Sequence, residues 1–444
     1  MKQRYRELDR DLCWLAIDKC YRGKWGRNDV LTDIEEWTGY SRNQIREYKV
    51  DHPGHEYPIK HEIMEERADA LYDMITGILH GEDPDFDPVS IRRRADGATG
   101  KMRNIAYLCI RMQLLGHCLQ LGLEPLLKSR ILPCQHASLP GGGPTRLVRQ
   151  LRRQMRKKNA VRYFTKTDCK NAYGSTMYRD VIALIREEIP DAKWILAGLE
   201  TIAEYAPGGH LIIGGYLDAW LFNFVMSYGL REALKAAGDR RGHRIRMVSG
   251  CEDYMDDVVY LGTSRKGLKA GSKACMDCLR ERFGIESKQT TGYIRLLSRE
   301  EERQRKARAS PAARGCPAID VAGYRISRTH CTMRRRNARR TRRCFLRAWT
   351  EKERTGTLKR QRAAQIISRN GIAAGADNYR FMEKYHVVEL RRMARRIIGH
   401  WGRIETRERK EILEDAVEKY RKHREALESH DWDTAGRREA CSAG

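Results

Sequence analysis

Three carboxylates stand where two candidate β-strands end. Asp256 and Asp257 are followed directly by residues 258–261, a short apolar run rich in strand-forming residues. Asp168 comes immediately after residues 161–167, a second run of strand-like character. An acidic pair beside a strand predicts a hairpin with carboxylates at its turn. Asp168 predicts a third carboxylate at the end of another strand.

Carboxylates in this arrangement suit metal-dependent nucleotidyl transfer. That reaction uses two divalent cations about 4 Å apart, one activating the attacking hydroxyl and one steadying the leaving group. Mg²⁺ is held by a few carboxylates together with waters and substrate phosphates, so acids from two neighbouring strands can bridge such a pair. Without a cation the acids would repel one another, which predicts an ion-dependent site. Tyr173, five residues after Asp168, would pack beneath an incoming sugar and exclude a 2′-hydroxyl.

Composition limits what can surround such a site. The chain has 444 residues, and 86 Lys and Arg against 59 Asp and Glu give a formal net charge of +27. Such an excess favours a polyanionic partner, with nucleic acid the commonest one, over a basic protein that is merely soluble. No stretch of about 18 uncharged apolar residues predicts a membrane span. The charged N-terminal residues and 13 scattered cysteines predict a cytoplasmic protein with reduced thiols.

Three regions are predicted along the chain. Residues 1–85 form a helical N-terminal extension, with an amphipathic helix over 62–80. Residues 86–318 mix strand and helix patterns and predict an α+β domain. Residues 319–444 form a basic, helical C-terminal region. The main patterns of the middle region are strands over 161–167, 244–248 and 258–261, and helices over 105–127, 217–236 and 266–283.

The most basic segment is residues 334–343, RRRNARRTRR, with seven arginines in ten positions. Isolated charge runs are usually solvated surfaces, but this one lies in a helical pattern with Phe345, Leu346 and Trp349. We therefore predict a helix that contacts nucleic-acid phosphates. Its predicted contact residues are Arg334, Arg335, Arg336, Arg339, Arg340, Arg342 and Arg343.

Six segments, in family order, make residues 90–350 resemble the reverse transcriptases. They are Lys101 and Arg103 of the fingers, Asp168 to Tyr173 (motif A), residues 211–223 (motif B), the YMDD run 254–257 (motif C), residues 284–288 (motif D) and residues 322–326 (primer grip). The resemblance implies a right-hand polymerase with fingers, a palm carrying an antiparallel sheet, and a helical thumb. The predicted helical N-terminal extension would precede these parts.

The resemblance also implies a role for each matching residue. Asp168, Asp256 and Asp257 would be the catalytic metal ligands, with Mg²⁺ or Mn²⁺ as the cofactor. The implied nucleotide-binding residues are Lys101 and Arg103 on the β- and γ-phosphates, Tyr173 as the steric gate, Gly214 at a close backbone approach, and Lys288 as proton donor to pyrophosphate. A solvated turn is an equal reading of Lys288, and a core aromatic is the alternative for Tyr173.

Motif B departs from the usual family pattern. Ile213 stands where most members have Gln, and Asp218 and Ala219 occupy positions where related enzymes continue with Ser-Gln. Template contacts near this helix are therefore expected to be unusual. Asp218 has two readings, as an additional acid near the site or as a helix N-cap residue.

The biological role is predicted only through the resemblance. The chain is similar to stand-alone bacterial reverse transcriptases, a group with defence-associated and diversity-generating members. We expect an RNA-directed DNA polymerase in antiphage defence, using dNTPs, an RNA template, a DNA product and a dedicated non-coding RNA. The alternatives are a diversity-generating enzyme with an accessory protein, an untemplated or protein-primed polymerase, and a relict RNA-binding scaffold.

Overall fold

The computed structural model describes residues 4–22, 24, 27–39, 41–43, 58–95, 102–156, 161–240, 243–307 and 316–400. Two compact units divide them, one of residues 4–8 and 75–397 and the other of residues 9–74 and 398–400. Lys101 and the predicted C-terminal segment 401–444 lie outside the described residues. Within those limits, no helix has both the length and the apolar character to cross a bilayer.

The smaller unit is built on helices α1 (Arg10–Tyr21), α2 (Asn28–Thr38) and most of α3 (Pro58–Leu79). Asp33 of α2 accepts hydrogen bonds from the Tyr21 hydroxyl, at 2.9 Å, and from Nη2 of Arg67, at 2.9 Å. Arg67 is only 5% exposed. A buried charge needs such a partner, so this network ties one helix to the next.

The larger unit alternates strands and helices, so the protein is mixed α+β, as predicted. Its elements up to residue 307 are β1 (Ser90–Ala95), β2 (Met102–Tyr107), α4 (Ile110–Gly122), α5 (Glu124–Arg130), α6 (Pro144–Arg156), β3 (Tyr163–Cys169), α7 (Ala172–Ser175), α8 (Tyr178–Glu188), α9 (Lys193–Tyr205), α10 (Tyr216–Lys235), β4 (Ala237–Arg240), β5 (His243–Arg246), β6 (Gly250–Tyr254), β7 (Asp257–Gly262), α11 (Arg265–Phe283), β8 (Ser287–Thr290), β9 (Ile294–Arg295) and α12 (Arg299–Ala307). The division into fingers, palm and thumb stays a prediction, as do its boundaries.

The central sheet has the strand order β6–β7–β3–β8, and β9 also pairs with β3. All of these pairings are antiparallel. Side chains alternate across a strand, so Phe164, Lys166 and Asp168 of β3 share one face while Thr165 and Thr167 share the other. Both threonines are fully buried, which shows that β3 lies inside the fold.

Apolar layers cover the two faces of this sheet. On one face, Phe164 of β3 with Val259 and Leu261 of β7 belong to a cluster that includes Leu147 and Leu151 of α6. Helices α10 and α11 contact strands of the sheet and each other. The central strands therefore form a packed core, and one end of it carries the acidic residues.

The chain after residue 318 is a small sheet followed by helices. The elements are β10 (Ile319–Val321), β11 (Tyr324–Ile326), β12 (Cys331–Met333), α13 (Arg335–Thr355), α14 (Arg360–Ala374), α15 (Tyr379–Lys384) and a helical stretch over 387–400. Ala322 and Gly323, with φ of 47° and 87°, form the two-residue turn between β10 and β11. Two positive φ values suit a tight hairpin with right-handed strand twist. This hairpin packs in the same cluster as α6.

The predicted helix over 105–127 is wrong at its start. Ile105 and Ala106 lie in β2, opposite Arg92 and Ile91 of β1. The helix begins only at Ile110. Apolar runs do not by themselves separate a strand from a helix, and here the pairing partner is another short strand, three of whose six residues are arginine.

Asp218 fastens the loop that leads into α10. The residue lies in the first helical turn and is 2% exposed. Its Oδ1 accepts hydrogen bonds from the Ile212 amide at 2.8 Å and from the Tyr178 hydroxyl at 2.8 Å. The N-cap position itself is held by Gly215. Asp218 therefore acts as a clamp between α8, α10 and the loop 211–215.

Replacing Asp218 by Asn should reduce the pH dependence of folding stability. Burial raises the pKa of Asp218 to about 6 from an ordinary 3.8, so the folded protein binds this proton more tightly than the unfolded chain. Protonated Asp218 therefore stabilises the fold at low pH. This contribution to the free energy of unfolding, about 3 kcal/mol for a pKa shift of this size, is lost as the pH rises from about 4 to 6. Asp218→Asn keeps the acceptor oxygen without the charge.

Urea titrations of wild type and Asp218→Asn at pH 4 and pH 7 measure this effect. The free energy of unfolding should drop by about 2–3 kcal/mol more in the wild type between the two pH values. Subtracting the drop in the variant from the drop in the wild type removes the contribution of other titrating groups. An equal drop in both proteins would contradict the role of the Asp218 charge.

Candidate active site

The register of the central sheet places Asp168 of β3 directly opposite Asp257 of β7. Residues paired in this way have Cα atoms about 4.5–5.5 Å apart and side chains on the same face. Asp256 follows Met255 in the two-residue turn between β6 and β7, where Met255 has a φ of 62°. The Cys169 amide donates to the Asp256 carbonyl at 3.0 Å, which ties the end of β3 to this turn. The three predicted metal ligands thus lie together at one end of the sheet.

Charge repulsion and burial both act on these acids. Burial raises the pKa of Asp256, and the neighbouring charge of Asp168 raises it further. Burial also raises the pKa of Asp257, although Lys166 acts in the opposite direction. The Nζ of Lys166 lies 2.6 Å from Oδ1 of Asp257, and the Nζ of Lys288 lies 3.8 Å from Oδ2 of Asp168. Positive charge is therefore required where the carboxylates meet, and two lysines supply it in this structure.

The donor set suits a cation that is shared with a substrate. Asp168 and Asp257 provide hard oxygen donors, and Mg²⁺ usually takes only one or two carboxylates alongside waters and phosphates. In the part of the chain that the structure describes, no three His, Cys, Asp or Glu side chains form a ready-made metal cage. The described residues therefore form no enclosed structural metal site, and Mg²⁺ or Mn²⁺ as the cofactor stays a prediction.

Tyr173 lies beside the acidic turn. It belongs to α7, and Asn171, with a φ of 45°, turns the chain between β3 and that helix. The Tyr173 ring stacks on Phe222 of α10 with centroids 4.9 Å apart, and its hydroxyl lies 3.6 Å from Sδ of Met255. Burial raises the pKa of Tyr173, which keeps the phenol neutral. The ring is thus a fixed, half-buried wall next to the carboxylates.

The glycine of motif B makes a close backbone contact with β2. The Ala106 amide donates to the Ile213 carbonyl at 2.8 Å. Gly214 has a φ of 124°, and a Cβ atom there would stand 2.5 Å from the Ala106 carbonyl oxygen. Glycine is therefore required for the loop to lie against β2. The nucleotide-binding role of Gly214 stays a prediction.

The basic hairpin β1–β2 brings Arg103 near the acids. Arg103 pairs with Arg94 across the hairpin, and its charge lowers the pKa of Asp256 against the larger effect of burial. The guanidinium groups of Arg92 and Arg94 lie 4.9 and 5.3 Å from the centre of the Tyr107 ring. These cation–π contacts hold arginine side chains on one face of the hairpin.

Two residues of this region were missed by the sequence interpretation. Lys166 stands two positions before Asp168, and the strand period of two places both side chains on one face, a signal that was available. Asp253 is fully buried beneath the turn, and burial raises its pKa well above the usual range. Its amide donates to the Cys134 carbonyl at 2.8 Å, and the Nε2 of Gln135 lies 3.5 Å from its Oδ2. No local sequence pattern predicts this contact between Asp253 and the segment at residues 134–135.

The seven arginines of residues 334–343 do not share one surface. Arg334 donates from Nε to Asp320 Oδ1 at 2.5 Å, and the Arg342 guanidinium lies 5.9 Å from the centre of the Tyr385 ring. Arg340 and Arg343 line a cleft between α13 and α14. The remaining three, Arg335, Arg336 and Arg339, are exposed. The predicted contact with nucleic acid remains a prediction, but one helix face cannot present all seven residues.

Comparisons with known proteins do not identify a family for this chain. No protein-family model and no curated protein matches the chain. Among solved structures, one match is the apo telomerase from Candida tropicalis truncated from the C-terminal domain, with 12% sequence identity and a TM-score of 0.38. The match covers 56% of this chain and 55% of that chain, so the chain spans about half of its length. A TM-score this low has no bearing on fold or function.

Gly214→Ala should detach the motif B loop from β2. The added Cβ would meet the Ala106 carbonyl, and the positive φ is strained for alanine, so we expect the free energy of unfolding to fall by about 2–4 kcal/mol. Chemical denaturation measures this loss.

Gly292→Ala is the matched control, because open space surrounds the position of its Cβ. Its effect should stay within about 0.5 kcal/mol of wild type. Similar small losses for both variants would show that the contact with Ala106 does not hold the loop.

Proposed function

We propose that this protein is an RNA-directed DNA polymerase that extends a primer by metal-dependent nucleotidyl transfer. One observation carries the proposal: the sheet register sets Asp168 opposite Asp257, with Asp256 in the adjoining turn. Asp256 and Asp257, whose pKa values burial raises, meet Asp168 from a separate chain segment, and such a group of acids is costly to keep together without a cationic ligand. Their proximity is understandable if the site binds cations and phosphates.

The chain's own residues would position the reactants. Asp168, Asp256 and Asp257 would hold the divalent cations, which would supply a lowered pKa for the attacking hydroxyl and neutralise phosphate charge. Arg103 would add positive charge beside the triphosphate, since its charge already lowers the pKa of Asp256. Lys166 holds Asp257 in place. Lys288, whose Nζ lies 3.8 Å from Oδ2 of Asp168, would protonate the departing pyrophosphate.

The choice of sugar would fall to Tyr173. Its ring is held by Phe222 and lies against Met255 of the acidic turn, so it cannot easily move aside. A nucleotide bound at the carboxylates would place its sugar near this ring. A 2′-hydroxyl would then meet an aromatic wall, which favours deoxynucleotides.

The positive charge of the chain supports nucleic acid as its partner. The net charge of +27 and the exposed arginines at the start of α13 favour a polyanion whose phosphates are neutralised one by one. The antiphage role, the dedicated non-coding RNA and the unusual template contacts rest on the family resemblance and stay predictions.

Primer extension tests the proposed reaction. The purified full chain, with an RNA template, a DNA primer, labelled dNTPs and Mg²⁺, should incorporate deoxynucleotides, and chelation of Mg²⁺ should abolish this. Asp257→Asn should lower incorporation by at least about 10³-fold, because it removes a charge that acts on the reacting groups. Mg²⁺ with dNTP should also raise the thermal midpoint of wild type more than that of Asp257→Asn.

Asp191→Asn is the control, since Asp191 is exposed in the turn before α9 and outside the site. It should incorporate at the wild-type rate. The proposal fails if wild type incorporates nothing under templated, self-primed or untemplated conditions with Mg²⁺ or Mn²⁺. RNA binding without incorporation would favour the scaffold alternative.

Substitutions at Tyr173 test the sugar selection. Tyr173→Ala should raise the ratio of ribonucleotide to deoxynucleotide incorporation at least about tenfold, corresponding to about 1.4 kcal/mol of discrimination. Tyr173→Phe keeps the ring on Phe222 and should preserve the wild-type ratio. Equal ratios in all three proteins would remove Tyr173 from the discrimination.

A further inference from the structure

Two cysteine side chains from distant parts of the chain lie side by side at β6. The Sγ atoms of Cys134 and Cys251 are 3.7 Å apart, although 117 positions separate the two residues in the sequence. Both thiols are free. The sulfur atoms of a disulfide are about 2.05 Å apart, so these two need to approach by only about 1.7 Å. The fold therefore brings two distant thiols close to bonding distance.

The backbone on either side holds this pair in place. The Asp253 amide donates to the Cys134 carbonyl at 2.8 Å, and the His136 amide donates to the Asp253 carbonyl at 3.1 Å. Gln135, between them, forms a parallel β-bridge with Asp253. Paired backbones lie about 5 Å apart, which is within the range of Cα separations that a disulfide spans. The two sulfur atoms can therefore meet by side-chain rotation.

The two thiols differ in their surroundings. Cys251 is 2% exposed, whereas Cys134 is only half-buried. The hydrogen bond with Cys134 and burial raise the pKa of the Cys251 thiol well above its usual value. The thiolate is the form that reacts with oxidants, so Cys251 by itself is protected from them. Cys134 is the member of the pair that a dissolved oxidant can reach.

We propose that Cys134 and Cys251 form a reversible disulfide when the protein meets a peroxide. Hydrogen peroxide oxidises the Cys134 thiol to a sulfenic acid and releases one water. The Cys251 sulfur then attacks the Cys134 sulfur and the S–O bond breaks. The departing hydroxide leaves as a second water with the proton of the Cys251 thiol. Two thiols are thus oxidised while one peroxide is reduced to two waters, and a thiol reductant restores both cysteines.

The disulfide would fasten a segment that already joins two elements of the larger unit. In residues 134–137, Gln135 donates from Nε2 to the Asn223 carbonyl of α10 at 2.7 Å, and the Ala137 carbonyl accepts from Nδ2 of Asn223 at 3.1 Å. The same residues are hydrogen-bonded to β6, which leads into the acidic turn. Oxidation would add a covalent bond to this link. The proposal involves neither a nucleotide nor a metal, so it does not depend on the proposed function.

Peptide mapping of the full chain tests the pairing. The protein is treated with a small excess of hydrogen peroxide, its remaining thiols are alkylated, and it is digested with trypsin. Cys134 is the one cysteine of tryptic peptide 131–146, and Cys251 is the one cysteine of peptide 247–265. We expect these peptides to be joined in the oxidised protein and separate after treatment with dithiothreitol. Their recovery only as sulfinic acids, or a link from Cys251 to peptide 274–280, would overturn the proposal.

Two variants make the mapping specific. Cys134→Ser should leave peptide 247–265 unlinked after peroxide treatment, and the half-buried position tolerates the small change of side chain. Cys344→Ser is the matched control, because Cys344 is a half-buried thiol of α13, and it should form the link as wild type does. Disulfide formation by Cys251 in Cys134→Ser would show that Cys134 is not its partner.

Thermal unfolding tests whether the bond fastens the segment. A link across a long stretch of chain restricts the unfolded state, so oxidised wild type should have a thermal midpoint at least about 3 °C above that of the reduced protein. Dithiothreitol should reverse this rise, and Cys134→Ser should show no rise with peroxide. An unchanged midpoint in linked wild type would contradict the fastening of residues 134–137 to β6.

Discussion

Two acidic side chains face each other across neighbouring strands, and the fold has to offset their repulsion. At 4 Å, two unit charges in a partly screened protein environment repel by about 4 kcal/mol, and burial adds a desolvation cost. Asp168 and Asp257 occupy such positions, and Asp256 adds a third charge. The structure meets the repulsion with Lys166, which lies on the same face of β3 and contacts Asp257. Under the proposed function, a cation at the site would compete with Lys166 for the same oxygens of Asp257.

Keeping the acids opposite each other is a matter of strand register. A slip of one residue would exchange Asp257 for Val258 and turn the acids to opposite faces. Phe164 of β3, with Val259 and Leu261 of β7, lies on the face that carries the carboxylates and is locked into the apolar cluster with α6 and the β10–β12 sheet. A slip would therefore expose these apolar groups as well. Core packing and the position of the acids are two consequences of one register.

The sequence predicted what depends on local pattern. The strands around Asp168 and Asp257, the helix over 217–236 and the basic helix after residue 334 lie near their predicted places. What depends on partners far along the chain was not predicted. Residues 105–107 form a strand because β1 pairs with them, and Asp253 is buried because the segment at Cys134 covers it. The arginines of residues 334–343 looked like one surface, but helical geometry divides them among Asp320, Tyr385, solvent and a cleft.

The unusual motif B can be understood from the contacts of its backbone. Ile213 stands where most members of the family that this chain resembles have Gln. In this fold the contact that Ile213 makes with β2 uses its backbone carbonyl, which accepts a hydrogen bond from the Ala106 amide. Gly214 permits that contact, and Asp218 holds the amide of Ile212 from the other side. A buried acid, rather than a side chain at position 213, therefore sets the position of the loop. Of the two departures from the pattern of the resembling family, Ile213 changes the side chain that the loop presents, whereas Asp218 is itself part of what holds the loop.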